Sequence, residues 1–142
     1  MRFMMLMIPN GYQSAEAGAM PDAKAVEAMM EYNAALQQAG VLRALDGLHP
    51  PSVGVRVTFS GGKPTVRNGP FPETTETLGG YWMLEVQSKQ EALEWASRCP
   101  AADNDIIELR QAQEFSDFPA DIQQVVAGYP EVLASADQRR GK

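Results

Sequence analysis

From Met1 to Ile8 the chain is apolar everywhere except Arg2, and Pro9 followed by Asn10-Gly11 ends the run. So short an apolar stretch, closed by turn formers, predicts a buried strand rather than a helix. Side chains alternate between the two faces of a strand, so this one needs cover on both sides. Tyr81 to Val86 has the same character, with Trp82, Leu84 and Val86 on one face and Tyr81, Met83 and Glu85 on the other. The fold must therefore hold at least two strands whose second face is also oily.

Between and after these strands the periodicity changes. Ala25, Met29, Tyr32, Leu36 and Ala39 recur at alternating spacings of four and three, which predicts a helix over 22–39 capped by Gly40. Val41 to Leu48 returns as a strand. Val53, Val55, Val57 and Phe59 alternate with smaller or polar residues, predicting a strand with one wetter face. Ser60-Gly61-Gly62-Lys63 turns the chain, and Thr65 to Arg67 is expected as the returning arm, restricted by Pro64 to an edge or a strand start. Ser88 with Glu91 forms a capping-box pattern before Ala92, Trp95, Ala96 and Cys99, and Pro100 blocks continuation. A last strand is expected around Ile107 and Leu109, then short helices at 122–126 and 131–136.

The order is strand, helix, strand, inserted hairpin, strand, helix, strand. Right-handed crossovers place both helices on one face of an antiparallel-rich sheet, giving an α+β fold of ferredoxin-like topology. Residues 1–115 are read as that domain and 116–142 as a short-helical extension of it. With no third long helix evident, a second copy packed sheet on sheet is the simplest cover for the remaining face. Gly11 to Met20 is expected to be the mobile segment.

Composition narrows the function classes. Twelve Lys and Arg against 18 Asp and Glu leave a net charge of −6, which repels phosphate backbones. No direct nucleic-acid partner is expected, and Arg139, Arg140 and Lys142 read as a solvated tail. One cysteine, Cys99, cannot form an internal disulfide, which fits a reducing cytoplasm. The first apolar run falls short of the roughly 7–15 residues of an export signal, although Ala15-Glu16-Ala17 imitates a cleavage site. No stretch approaches the ~20 apolar residues of a membrane span, so no membrane partner is expected.

Asn68-Gly69-Pro70-Phe71-Pro72-Glu73-Thr74-Thr75-Glu76-Thr77-Leu78-Gly79-Gly80-Tyr81 resembles the signature of the DGPF subgroup of the YCII-related proteins, small bacterial domains. The opening strand, Gly40-Val41-Leu42, Gly47-Leu48-His49-Pro50-Pro51, the Glu91 to Pro100 stretch and Ile107-Glu108-Leu109-Arg110 are similar to that family in the same order. The resemblance implies a homodimeric ferredoxin-like fold, the dimeric α+β barrel. Two positions depart from the pattern: the eponymous Asp is Asn68, and the Lys usual between the glutamates is Thr75. Asparagine still donates hydrogen bonds but cannot serve as a general base.

Taken alone, the loop has a structural reading, in which Asn68-Gly69 makes a turn, Pro70 and Pro72 stiffen it and Phe71 plugs the core. Its functional reading is a rigid wall of a small-molecule cleft, with Asn68, Phe71, Glu73, Glu76, Tyr81 and Arg110 as ligand contacts. His49, the one side chain whose ordinary pKa lies near neutrality, and Glu73 are the candidate catalytic groups. Arg56, Arg67 and Arg110 would hold an anion if the strands brought them together. A lone histidine and a lone cysteine do not assemble the common zinc sets, so neither metal nor cofactor is expected. Cys99, on the apolar stripe, reads as a packed, inert thiol. Three functions remain open: a homodimeric small-molecule-binding module, an acid-base lyase or isomerase acting on a small organic acid, and an accessory regulatory module of the sort found beside sigma-factor-like regions.

Overall fold

The computed structural model describes residues 1–140, with side chains through Gln138. It divides into a unit spanning Met1–Arg110 and a second unit that begins at Gln111. The first holds β1 (Arg2–Ile8), α1 (Ala23–Gln38), β2 (Leu42–Gly47), β3 (Val55–Ser60), β4 (Lys63–Asn68), β5 (Gly80–Glu85), α2 (Lys89–Ser97) and β6 (Ile106–Gln111). Four strands form one sheet in the order β2-β5-β1-β6, and β3 with β4 form a separate two-stranded ribbon. β5 runs antiparallel to both β1 and β2. Each helix thus connects strands separated by one other strand, which is the ferredoxin-like α+β topology.

The two doubly apolar strands are the central pair. Phe3 lies opposite Leu84 and Met5 opposite Trp82, facing the helices; Met4 lies opposite Met83 and Leu6 opposite Tyr81 on the other face. Phe3, Met5, Trp82, Leu84 and Val86 are buried together with Tyr32 and Leu36 from α1 and Ala92 from α2. Burying each of the larger side chains stabilises the fold by about 1.5–3 kcal/mol. Tyr32 meets Trp82 edge to face at 5.9 Å and Trp95 at 6.4 Å, and its hydroxyl donates to the Trp95 carbonyl at 2.7 Å. Burial pushes that phenol far above its ordinary pKa. Trp82 Nε1 donates to Asn33 Oδ1 at 2.8 Å, so the one buried polar residue of α1 exists to satisfy the one buried indole.

Local chemistry sets the element ends. Asp22 caps α1 by accepting from the Ala25 N–H at 2.7 Å, and Gly40 takes the left-handed conformation (φ 74°) just beyond it. Ser88 accepts from Glu91 N–H, but Glu91 reaches back to the Gln87 N–H rather than to that of Ser88, so the expected box closes one residue early. Gly61 and Gly62, both at positive φ, make the tight turn of the ribbon.

Several expectations require correction. The ribbon's second arm covers Lys63–Asn68 rather than Thr65 to Arg67, because Pro64 occupies the second position of the strand without ending it. All twelve strand residues of the ribbon are exposed, so its alternation does not mark a buried face. Asn68-Gly69 is not a turn: Asn68 closes β4 opposite Val55, and Gly69 N–H continues to the Gly54 carbonyl at 2.8 Å. Cys99, counted on the helix by its spacing from Ala92, Trp95 and Ala96, lies just past the end of α2. Tyr12 donates its hydroxyl to the Leu48 carbonyl at 2.5 Å from a single 3-10 turn.

In the second unit, α3 (Ala120–Ala127) and α4 (Pro130–Arg140) follow a turn at Phe115–Asp117. α4 is 11 residues long, longer than expected. Its Leu133 and Ala136 line a cavity of about 250 Å³ with Phe115, Phe118 and Val126. The basic cluster of Arg139, Arg140 and Lys142 lies outside the described side chains.

Candidate functional site

The stretch from Asn68 to Tyr81 is built against the root of the ribbon. Arg56 and Arg67 lie directly opposite each other on β3 and β4, so both guanidiniums leave the same face. Phe71, 4% exposed, sits beneath them, with the Arg56 guanidinium carbon 4.1 Å and that of Arg67 5.4 Å from the ring centroid. Arg67 grips the Glu73 carboxylate through both terminal nitrogens, one of them at 3.2 Å, and Arg56 donates to Thr74 Oγ1 at 3.0 Å. That pairing holds the Glu73 carboxyl below its usual range, with Arg56 adding to the pull, and raises Arg67.

Backbone fit matters as much as charge here. A methyl group on Gly69 would stand 1.7 Å from the Pro51 carbonyl oxygen, so only glycine allows the two segments to approach this closely. The Gly69-Pro70 peptide is cis. Beyond the loop, Gly79 N–H donates to the Met7 carbonyl and the Gly79 carbonyl accepts from Leu48 N–H, which ties the loop's exit to β1 and to the end of β2. Tyr81 donates its hydroxyl to Asp46 Oδ2 at 2.6 Å, an interaction that pushes the phenol pKa up.

The predicted contacts therefore divide. Phe71 and Glu73 come together with Arg56 and Arg67. Phe71 is packed beneath the arginines, so it does not line an open cleft as expected. Tyr81 lies on β5 with Asp46 as its partner. Asn68 and Glu76 are exposed, and Arg110, on β6, pairs with Glu108 at 3.4 Å. His49 is exposed, while Pro50 beside it is fully buried. His49, Glu73, Glu76 and Arg110 line neither the cavity between Phe115 and Leu133 nor the open one formed by Glu31, Tyr32, Arg98 and Pro100. Thr74 and Asp46 escaped the sequence reading, since their roles come from contacts across 18 and 35 residues. Gln13 Oε1 and Ser52 Oγ are buried with no hydrogen-bond partner among the described residues.

Chemically, the assembly is a cationic ledge. Glu73 pairs with Arg67, whereas Arg56 meets the Thr74 hydroxyl, an arrangement that suits contact with an anion better than proton transfer. Among the described residues no three of His, Cys, Asp and Glu gather to hold a metal ion, and no helix is long and apolar enough to cross a membrane.

The sequence profile of the YCII-related domain matches residues 1–116, which takes in the whole sheet, both of its helices and the Asn68 to Tyr81 stretch. The chain belongs to the YCII-related family. An uncharacterized protein of Rhizobium meliloti is 36% identical over 59 residues, a match covering 42% of this chain and 48% of that protein. The match thus spans about half the length of this curated relative. Within the YCII-related chain, β4 and β5 flank the Asn68 to Tyr81 stretch.

Proposed function

We propose that this YCII-related chain is a self-pairing module of the DGPF type, in which two copies join through the sheet face opposite α1 and α2 and hold a small anionic molecule beside the Asn68 to Tyr81 loop. One observation carries the reading: Met4, Leu6, Tyr81 and Met83 stand side by side across β1 and β5, only half-buried, with Ala44 of β2 next to Met83. A contiguous oily face of this kind in a folded domain is characteristic of an interface, and a twofold pairing covers it with its own likeness. The α4 helix spends Leu133 and Ala136 within its own unit. The Asn68-Gly69-Pro70-Phe71 sequence supports the subgroup, and the family match over residues 1–116 supports reading 1–115 as the domain, with 116–142 proposed as its short-helical extension. A single half-buried thiol fits a reducing cytoplasm.

Arg56 is the group assigned to the ligand's acid function, with Asn68 and Glu76 as exposed polar neighbours of the loop and Arg110 as a contact contributed from β6. The pairing of Glu73 with Arg67 and the exposure of His49 weigh against acid-base catalysis. Sedimentation equilibrium tests the pairing: wild type is expected as a dimer at micromolar concentration, and Met83→Glu as a folded monomer. A wild-type monomer at high concentration overturns the reading. Thermal-shift measurements with a panel of small organic acids test the ligand, since binding to the folded state raises the midpoint. A shift that Arg56→Ala abolishes is expected, and no shift with any acid removes the ligand from the proposal.

A further inference from the structure

The ribbon of β3 and β4 has two chemically distinct faces. Arg56, Thr58, Thr65 and Arg67 occupy one, and its two arginines are drawn down onto Phe71. Val55, Val57, Phe59, Pro64 and Val66 occupy the other, where Val57 is paired with Val66 and Phe59 with Pro64. On that apolar face Val55 is 58%, Val57 49%, Phe59 74% and Val66 65% exposed. An isolated two-stranded hairpin is marginally stable in water, and the sequence has nevertheless placed its largest apolar side chains where nothing among the described residues covers them.

We infer that this apolar face is a clasp that docks on a second copy of the chain, extending the sheet-to-sheet interface. Two arguments select that occupant. The first is area: the exposed valines and phenylalanine present on the order of 400 Å² of apolar surface, the size of a functional patch. A stable pair needs about 800 Å² from each partner, so the clasp supplies roughly half and the oily sheet face the remainder. The second is charge. The ribbon from Val55 to Asn68 carries Arg56, Lys63 and Arg67 and no acidic residue; with Arg67 paired to Glu73, Arg56 and Lys63 still leave it net positive on a chain of net charge −6. A basic ribbon is attracted to the acidic body of a second copy and repels another ribbon, which orients the clasp. Docking is by the face and not by strand addition, because Lys63 and Pro64 sit at the start of β4, where charge and a missing N–H discourage edge pairing.

The inference rests on the self-pairing reading, and one experiment separates their failures. Phe59→Ser with Val66→Ser alters only exposed side chains, so the variant is expected to fold, with wild-type circular dichroism. Its dimer dissociation constant, from sedimentation equilibrium, should rise at least a hundredfold over wild type, because truncating central apolar anchors removes most of an interface's affinity. Amide exchange across 55–68 should slow with rising protein concentration in wild type and not in the variant. A wild-type dimer whose constant is unchanged by the double substitution overturns the clasp and leaves the sheet interface standing. A wild type that stays monomeric overturns both.

Discussion

Gly69→Ala tests the backbone fit on which the Asn68 to Tyr81 loop depends. The added carbon would lie 1.7 Å from the Pro51 carbonyl oxygen, 2.8 Å from its carbonyl carbon and 3.2 Å from the Gly54 oxygen. An ordinary carbon–oxygen contact is about 3.3 Å, so the segments must part by well over an ångström. Parting them breaks the 2.8 Å bond from Gly69 N–H to the Gly54 carbonyl, a loss of about 1 kcal/mol. It also lifts Phe71 from beneath Arg56, and re-exposing an aromatic ring costs about 1.5–3 kcal/mol. The expected destabilisation is therefore roughly 2–4 kcal/mol, read by urea unfolding, with faster amide exchange across 69–75 as its local sign. Gly54→Ala is the control: its methyl would meet the same Pro51 oxygen at 3.3 Å, so a change within about 1 kcal/mol is expected. A Gly69→Ala protein within about 0.5 kcal/mol of wild type, with loop amides equally protected, would refute the reasoning.

Two further perturbations probe the core and its edge. Asn33→Leu strands the Trp82 indole N–H in a buried site and should cost about 1–3 kcal/mol in urea unfolding, and a double-mutant cycle with Trp82→Phe should show the two changes to be coupled; additive effects would mean the hydrogen bond contributes nothing. Burial, then the negative charge of Asp105, pushes the Cys99 thiol from 9.0 up to about 11, so the folded state holds this proton more tightly than the unfolded chain does. The stability this group contributes is present in full below pH 9 and is lost as pH rises towards 11. Cys99→Ala should fall less steeply than wild type over that window, and parallel curves would exclude the thiol as a cause.

The site illustrates why charge pairs are harder to foresee than strands. Arg56, Arg67 and Phe71 are each conspicuous in the sequence, yet an unpaired arginine on a wet sheet face and an arginine stacked on a ring have the same local pattern. Register decides between them: Arg56 opposite Arg67 makes a double clamp, whereas a one-residue slip of either strand would put the two arginines on opposite faces. The same register turned Glu73 from a candidate base into an ion-pair partner.

By itself, the sequence determined the elements and their order. The doubly apolar strands, the stripe on α1, the Ser88 cap and the glycine turn at 61–62 are set by alternation and local backbone preference, which operate over a few neighbouring residues. It also carried the family, because the resembling stretches follow one another in order along the matched residues 1–116. Only the tertiary structure decided that Asn68-Gly69 runs on from β4 instead of turning, that Gly69 is needed for a close approach to Pro51, and that the ribbon shows an oily face to water. Those outcomes depend on which distant segments meet, and close packing fixes such meetings only once the whole sheet has formed.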